Sequence, residues 1–134
     1  MYKYLIILLL FVSCKKAPEY EVIQLDTGTF DIGAEVIITQ DTVLARQFIE
    51  TELEIEIPDN SFDARGVTFS NPNYPIIIWL PKKPVTPEEI SVASHELFHT
   101  TLRIMEWAGV ELNEYTEEVF CFETQYLSKQ LYGK

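Results

Sequence analysis

Two histidines and a glutamate within residues 95–99, His-Glu-Leu-Phe-His, are the part of the chain best suited to chemistry. Two imidazoles four residues apart point the same way from a helix, so both can bind one zinc ion. The intervening Glu96 can then reach a metal-bound water. His95 and His99 are the only histidines among the 134 residues. Any histidine-based zinc site in this chain therefore uses both.

The flanking residues predict a helix that would hold these side chains in place. Thr86 and Pro87 are typical of an N-cap and a first helical position, and Glu88 and Glu89 follow where the helix dipole favours acids. Gly109 is a typical residue for the end of a helix. Small and apolar residues recur between these ends at spacings of three and four, which predicts one buried face. They are Ile90, Ala93, Leu97, Thr101, Ile104 and Ala108.

A catalytic zinc site usually has three protein ligands and one open position, so a third ligand must come from elsewhere in the chain. Carboxylates and the two cysteines are the remaining candidates. A second predicted helix, from about residue 113 to residue 131, contains Glu117 and Glu118 in its first turns. Eighteen residues separate His99 from Glu118. The adjacent acids Glu117 and Glu118 also have an explanation without metal, because the helix dipole stabilises acids at a helix N-terminus.

The pattern of HExxH, eighteen residues and then glutamate resembles that of the gluzincin metallopeptidases, which include thermolysin-like enzymes and the zinc aminopeptidases. The resemblance implies that His95, His99 and Glu118 bind Zn²⁺ and that Glu96 is the general base. The stretch 117–120, Glu-Glu-Val-Phe, is also similar to the Asn-Glu-Gly-Phe stretch of the aminopeptidases, which favours Glu118 over Glu117. A looser similarity, from about residue 34 to the C-terminus, is to short predicted zinc peptidases of bacteria and phages.

The function implied by the resemblance is hydrolysis of peptide bonds in a peptide or protein substrate through a metal-activated water. Endopeptidase action is expected, because no segment resembles the glycine-rich exopeptidase motif that binds a substrate amine. Tyr115, three residues before Glu118, is a candidate to stabilise the oxyanion of the tetrahedral intermediate. The alternative is a surface lipoprotein that binds zinc or a protein partner without catalysis, and the lack of an evident oxyanion donor fits it.

Residues 1–13 have the pattern of a bacterial lipoprotein signal peptide. An apolar run of eight residues, 5–12, follows Lys3 and is far shorter than the roughly 20 residues needed to cross a bilayer. The stretch Phe-Val-Ser-Cys at 11–14 resembles a lipobox, which implies that Cys14 is lipidated. Residues 14–21 would then form a tether to a membrane of the bacterial cell envelope.

The cysteine content and the net charge argue against a disulfide and against a nucleic-acid partner. With Cys14 lipidated, Cys121 is the only free thiol, so no intramolecular disulfide is expected, and Cys121 is predicted to be a small buried residue. The formal net charge is −11 at pH 7. A nucleic-acid partner is not expected, because binding to phosphates needs clustered Lys and Arg.

The remaining residues, 22–134, are enough for one domain with a modest core. Strand-forming clusters occupy the front half, with a helix predicted from Asp41 to about Leu53 and a hairpin connection at 71–75. The run 76–80 is apolar on both faces, so it is expected beneath a helix, and its hairpin is the candidate peptide-binding edge. The sequence thus predicts an α+β domain with an N-terminal antiparallel sheet, the motif helix and a C-terminal helix. The predicted strands cover 20–25, 35–39, 66–70 and 76–80.

Overall fold

A sheet of four strands with helices on both faces makes up the part of the chain that the structure, a computed structural model, describes: residues 19–133. The predicted signal peptide and Cys14 lie outside the described residues. No helix within residues 19–133 is long and apolar enough to cross a bilayer. In chain order the elements are β1 (Glu21–Leu25), β2 (Ala34–Ile38), α1 (Thr42–Leu53), β3 (Val67–Phe69), β4 (Ile76–Leu80), α2 (Pro87–Trp107) and α3 (Glu117–Tyr132).

The strands lie in the order β1-β2-β4-β3, so β1 and β3 form the two edges of the sheet. β1 pairs antiparallel with β2. β3 pairs antiparallel with β4, as the hairpin connection predicted at 71–75 requires. β2 and β4 run parallel, however, so the prediction of an antiparallel sheet is wrong. The reason is α1, which lies between β2 and the β3–β4 hairpin and provides the crossover that a parallel pair needs.

Alternate residues of the central strands point into two separate cores. Ile76 and Ile78 pack with the buried residues of α2 and α3 on one face, whereas Ile77 and Trp79 pack against α1 on the other. All five residues of β4 are buried. The run that is apolar on both faces is thus covered by a helix on each side, which makes the domain a three-layer α+β structure.

The two ends of α2 form as the sequence predicts. The Thr86 hydroxyl accepts a hydrogen bond from the Glu89 backbone, and the Glu89 carboxylate accepts one from the Thr86 backbone, which completes a capping box. At the other end Gly109 adopts a positive φ of 72°. The predicted buried face is confirmed for its central residues, but Ile90 is 38% exposed because it lies in the first turn.

Two predicted boundaries differ from the structure. The last residues of the predicted tether belong to the domain, since β1 begins at Glu21 and the Thr39 hydroxyl donates to the carbonyl of Glu19. Helix α3 begins at Glu117 instead of residue 113. The side chain of Asn113 accepts a hydrogen bond from the Tyr115 backbone and holds these residues in a turn, in competition with a helix.

The Glu89 carboxylate should make the stability of the domain depend on pH. A hydrogen bond from Lys82, and others from the backbone of Thr86 and Val85, lower the pKa of Glu89 from 4.5 to about 2. The lowered pKa means that the ionised Glu89 stabilises the folded domain at a pH above its unfolded pKa. This stabilisation is lost as the pH falls from about 4.5 towards 2. Chemical denaturation across this range should show a loss of stability that is smaller in Glu89→Gln, while the share of Asp26, whose pKa is also lowered, remains. Glu88→Gln, on the same turn, is the control and should leave the pH dependence intact.

Candidate metal site

The imidazoles of His95 and His99 lie on the exposed face of α2 and point at each other. Their Nε2 atoms are 3.0 Å apart, and the ring planes are inclined by 82°. Two imidazole nitrogens bound to one tetrahedral zinc at the usual bond length lie about 3.3 Å apart. The separation in this pair is slightly shorter than that value, and it is also the length of a hydrogen bond between the two rings.

Glu96 lies on a different side of α2, between the helix and the edge strand β3. Its side chain is buried, and its Oε2 accepts a hydrogen bond of 2.6 Å from the Thr68 hydroxyl in β3. The same hydroxyl lies 3.1 Å from the Glu96 carbonyl. This contact joins α2 to β3, and it would stabilise the domain even without any catalytic role.

The third predicted ligand, Glu118, is not brought to the histidines. Within residues 19–133 no three His, Cys, Asp or Glu side chains are grouped so that they could hold a metal ion. Helices α2 and α3 run antiparallel, with the Thr124 hydroxyl donating to that of Thr101. This register places the exposed Glu118 and Glu117 beside the last turn of α2, about 12 Å along the helix axis from His99.

Tyr115 and Cys121 also lie away from the predicted centre. The Tyr115 side chain is 86% exposed in the turn before α3, and it does not line the cavity beside Glu96. Cys121 is a free, exposed thiol, so the prediction that it is buried is wrong. Its neighbour Phe120 occupies the buried side of α3 instead.

One further acid of α3, Glu123, is buried without a partner. Its Oε1 atom has no hydrogen bond within the described part of the chain. Burial, together with the nearby charge of Asp26, raises the pKa of Glu123 above its ordinary value. The Asp26 carboxylate already accepts hydrogen bonds from the Tyr126 hydroxyl and the Gly28 backbone. Two acids without a third ligand do not form a metal site, so Glu123 does not replace Glu118.

A shallow groove runs between α2 and the start of β3, beside the candidate general base. It has a volume of about 330 Å³ and is lined by Arg65, Gly66, Ser91, Val92, His95 and Glu96; we call it the α2–β3 groove. Gly66 lets the two elements approach closely, because a Cβ atom there would lie 2.9 Å from Val92 Cγ1 and 3.3 Å from Glu96 Cγ. Arg65, Gly66 and Thr68 cannot be found from the sequence alone, since a contact between a strand and a distant helix leaves no local pattern.

Comparisons of the chain with protein-family models, with curated proteins and with solved structures found no match in any of the three. The similarity to the gluzincins therefore rests on the motif residues themselves.

Replacing Gly66 with alanine should test the close approach of β3 to α2. The added methyl group would overlap the stiff side chain of Val92, so Gly66→Ala should lower the free energy of unfolding by about 1–3 kcal/mol. The double variant with Val92→Ala removes the clashing methyl and should recover part of that loss beyond the effect of Val92→Ala alone. Urea denaturation of the four proteins gives the coupling energy, and strictly additive changes would contradict the proposed clash.

Proposed function

We propose that the chain is a zinc-dependent metallopeptidase, anchored to a membrane of the bacterial cell envelope through lipidated Cys14, that cleaves internal bonds of a peptide or protein substrate. The observation that supports this best is the 3.0 Å separation of the His95 and His99 Nε2 atoms on one helix face. Glu96, the next residue along the helix from His95, adjoins the edge strand at the same place.

His95 and His99 are the proposed protein ligands that the geometry fits. Both rings are exposed, and their Nε2 atoms are in direct contact. When bound, zinc would lower the pKa of a coordinated water and polarise the scissile carbonyl. The proposed third ligand, Glu118, would have to approach His99 from its present place beside the end of α2.

Glu96 is the proposed general base and later the general acid. The Thr68 hydroxyl holds Oε2, which fixes the orientation of the carboxylate and leaves Oε1 available to accept a proton. The same carboxylate would return that proton to the departing amine, so that it ends the cycle ionised. Thr68 is thus proposed as a positioning residue.

Strand β3 is the proposed surface for the substrate backbone. Within the described residues it pairs only with β4, so the backbone groups of its outer side have no strand partner. An extended peptide can add to such an edge through main-chain hydrogen bonds. Since Thr68 is the central residue of β3, a peptide bound there would pass close to Glu96.

Glu96→Gln separates catalysis from metal binding. The amide keeps the shape of the side chain but cannot accept a proton, so cleavage should fall at least about 100-fold while zinc content stays unchanged. His99→Ala should lose both zinc and activity, and Glu52→Gln, which changes an exposed acid of α1 on the opposite face of the sheet, should lose neither. The assay combines metal analysis of the purified full chain with chelator-sensitive cleavage of a mixed peptide library. Full activity in Glu96→Gln would disprove the role of Glu96.

The role of Glu118 is tested by a matched pair of variants. The peptidase proposal needs a third protein ligand, so Glu118→Ala should weaken zinc binding by more than about 10-fold, whereas Glu117→Ala should have little effect. Competition with a chromophoric chelator measures both affinities. Equal zinc affinity in all three proteins would mean that Glu118 is not a ligand.

The second candidate function is that of a surface lipoprotein which binds zinc or a protein partner without catalysis. The absence of a three-residue metal cluster from residues 19–133 favours it, since two histidines can bind a metal ion without forming a catalytic site. Zinc binding by the wild-type chain with no cleavage in the library would support this alternative, and chelator-sensitive cleavage would exclude it.

A further inference from the structure

The α2–β3 groove has a neighbouring cavity near the N-terminal end of α2. The second cavity has a volume of about 430 Å³ and shares Arg65 and Val92 with the groove. Trp79, near the end of β4, and Lys82 also line it. Because the two cavities adjoin at Arg65 and Val92, we call them together the path along α2; Glu96 lines one end and Lys82 the other.

Among residues 19–133, Arg65 is a cation without a charged partner, and it lies where these two cavities adjoin. Its side chain makes no ion pair or hydrogen bond with another described residue. By contrast, Arg46 pairs with Glu50, Arg103 with Glu106, and Lys82 with Glu89. Arg65 therefore has its full hydrogen-bonding capacity available for a ligand.

The backbone next to Arg65 packs closely against α2. The next residue, Gly66, is buried so tightly against α2 that even a Cβ atom would meet Val92 at 2.9 Å. Thr68, three residues after Arg65, donates a hydrogen bond to the Glu96 carboxylate. The guanidinium thus extends from a fixed point beside the candidate general base, and binding a ligand there costs less ordering of the backbone.

We propose that Arg65 binds a carboxylate group of the substrate, either an acidic side chain or the C-terminal carboxylate, and so selects the peptide that lies in the α2–β3 groove. This inference rests on the proposed peptidase function. A guanidinium presents two parallel N–H donors that match the two oxygens of a carboxylate. The carboxylate would lie in the path between Glu96 and Lys82.

This protein can attract an acidic group only at short range, close to Arg65. The chain has a net charge of −11 and would repel acidic peptides at long range. Charges separated by more than about 8 Å are largely screened at physiological salt, so the unpaired Arg65 can dominate at short range. Three acids share the path: Glu96 is bonded to Thr68, Glu89 is paired with Lys82, and Glu88 lines the second cavity.

The test measures peptide binding and does not depend on turnover. The full chain with Glu96→Gln, supplied with zinc, is titrated with labelled peptides of one sequence, and fluorescence anisotropy gives each Kd. Glutamate or glutamine is placed in turn at each internal position, and the C-terminus is free or amidated. We expect a carboxylate-bearing peptide to bind about 10-fold more tightly than the amidated glutamine peptide. The comparison of free and amidated ends identifies which carboxylate is bound.

Variants of Arg65 assign the effect to its guanidinium. Arg65→Ala should abolish the preference, Arg65→Lys should retain part of it, and Arg65→Glu should reverse it in favour of lysine-bearing peptides. The matched control is Lys83→Ala, which removes an exposed cation that does not line either cavity. A carboxylate preference that survives in Arg65→Ala, or its absence from the parent protein, would overturn the inference.

Cleavage of the same peptides by the wild-type chain separates this inference from the peptidase proposal. Carboxylate-selective binding that depends on Arg65, without cleavage of any peptide, would retain the binding site and reject the peptidase function. Cleavage without carboxylate preference would retain the peptidase function and reject the role of Arg65.

Discussion

The close packing of α2 against the edge strand β3 is the constraint on which the candidate site depends. Gly66 permits the approach, and the hydrogen bond from Thr68 to Glu96 fixes the distance and the orientation of the two elements. A bulkier residue at position 66 would push the strand away from the helix. The same contact therefore shapes the groove, orients the carboxylate and places Arg65 at the rim.

Helical geometry gives the three motif residues two different environments. Residues four apart lie almost on the same side of a helix, whereas adjacent residues differ by about 100°. His95 and His99 thus face solvent together, and Glu96 turns towards β3, where it is buried. Burial of a carboxylate is costly unless it is hydrogen-bonded, and the Thr68 hydroxyl offsets that cost. In this fold the polar partner of Glu96 comes from the adjoining strand.

Features set by nearby residues were predictable from the sequence, and features set by distant contacts were not. The Thr86 cap, the Gly109 stop and the strands of the front half all follow from local residue patterns. The parallel pairing of β2 with β4 depends on how α1 crosses the sheet, which no short pattern encodes. The distance between Glu118 and His99 likewise depends on the register of α2 against α3. An eighteen-residue spacing fixes the length of chain between two side chains but not their separation in space.

The short length of β3 has a consequence for any extended chain that docks beside it. A strand of three residues turns the N–H and C=O groups of only one or two residues outward, so copies of the domain gain little from joining edge to edge. An incoming peptide would gain equally little from its main chain. Its affinity and its register would then come mostly from its side chains and their fit in the adjoining cavities. An edge with so few main-chain hydrogen bonds would therefore discriminate among peptide sequences.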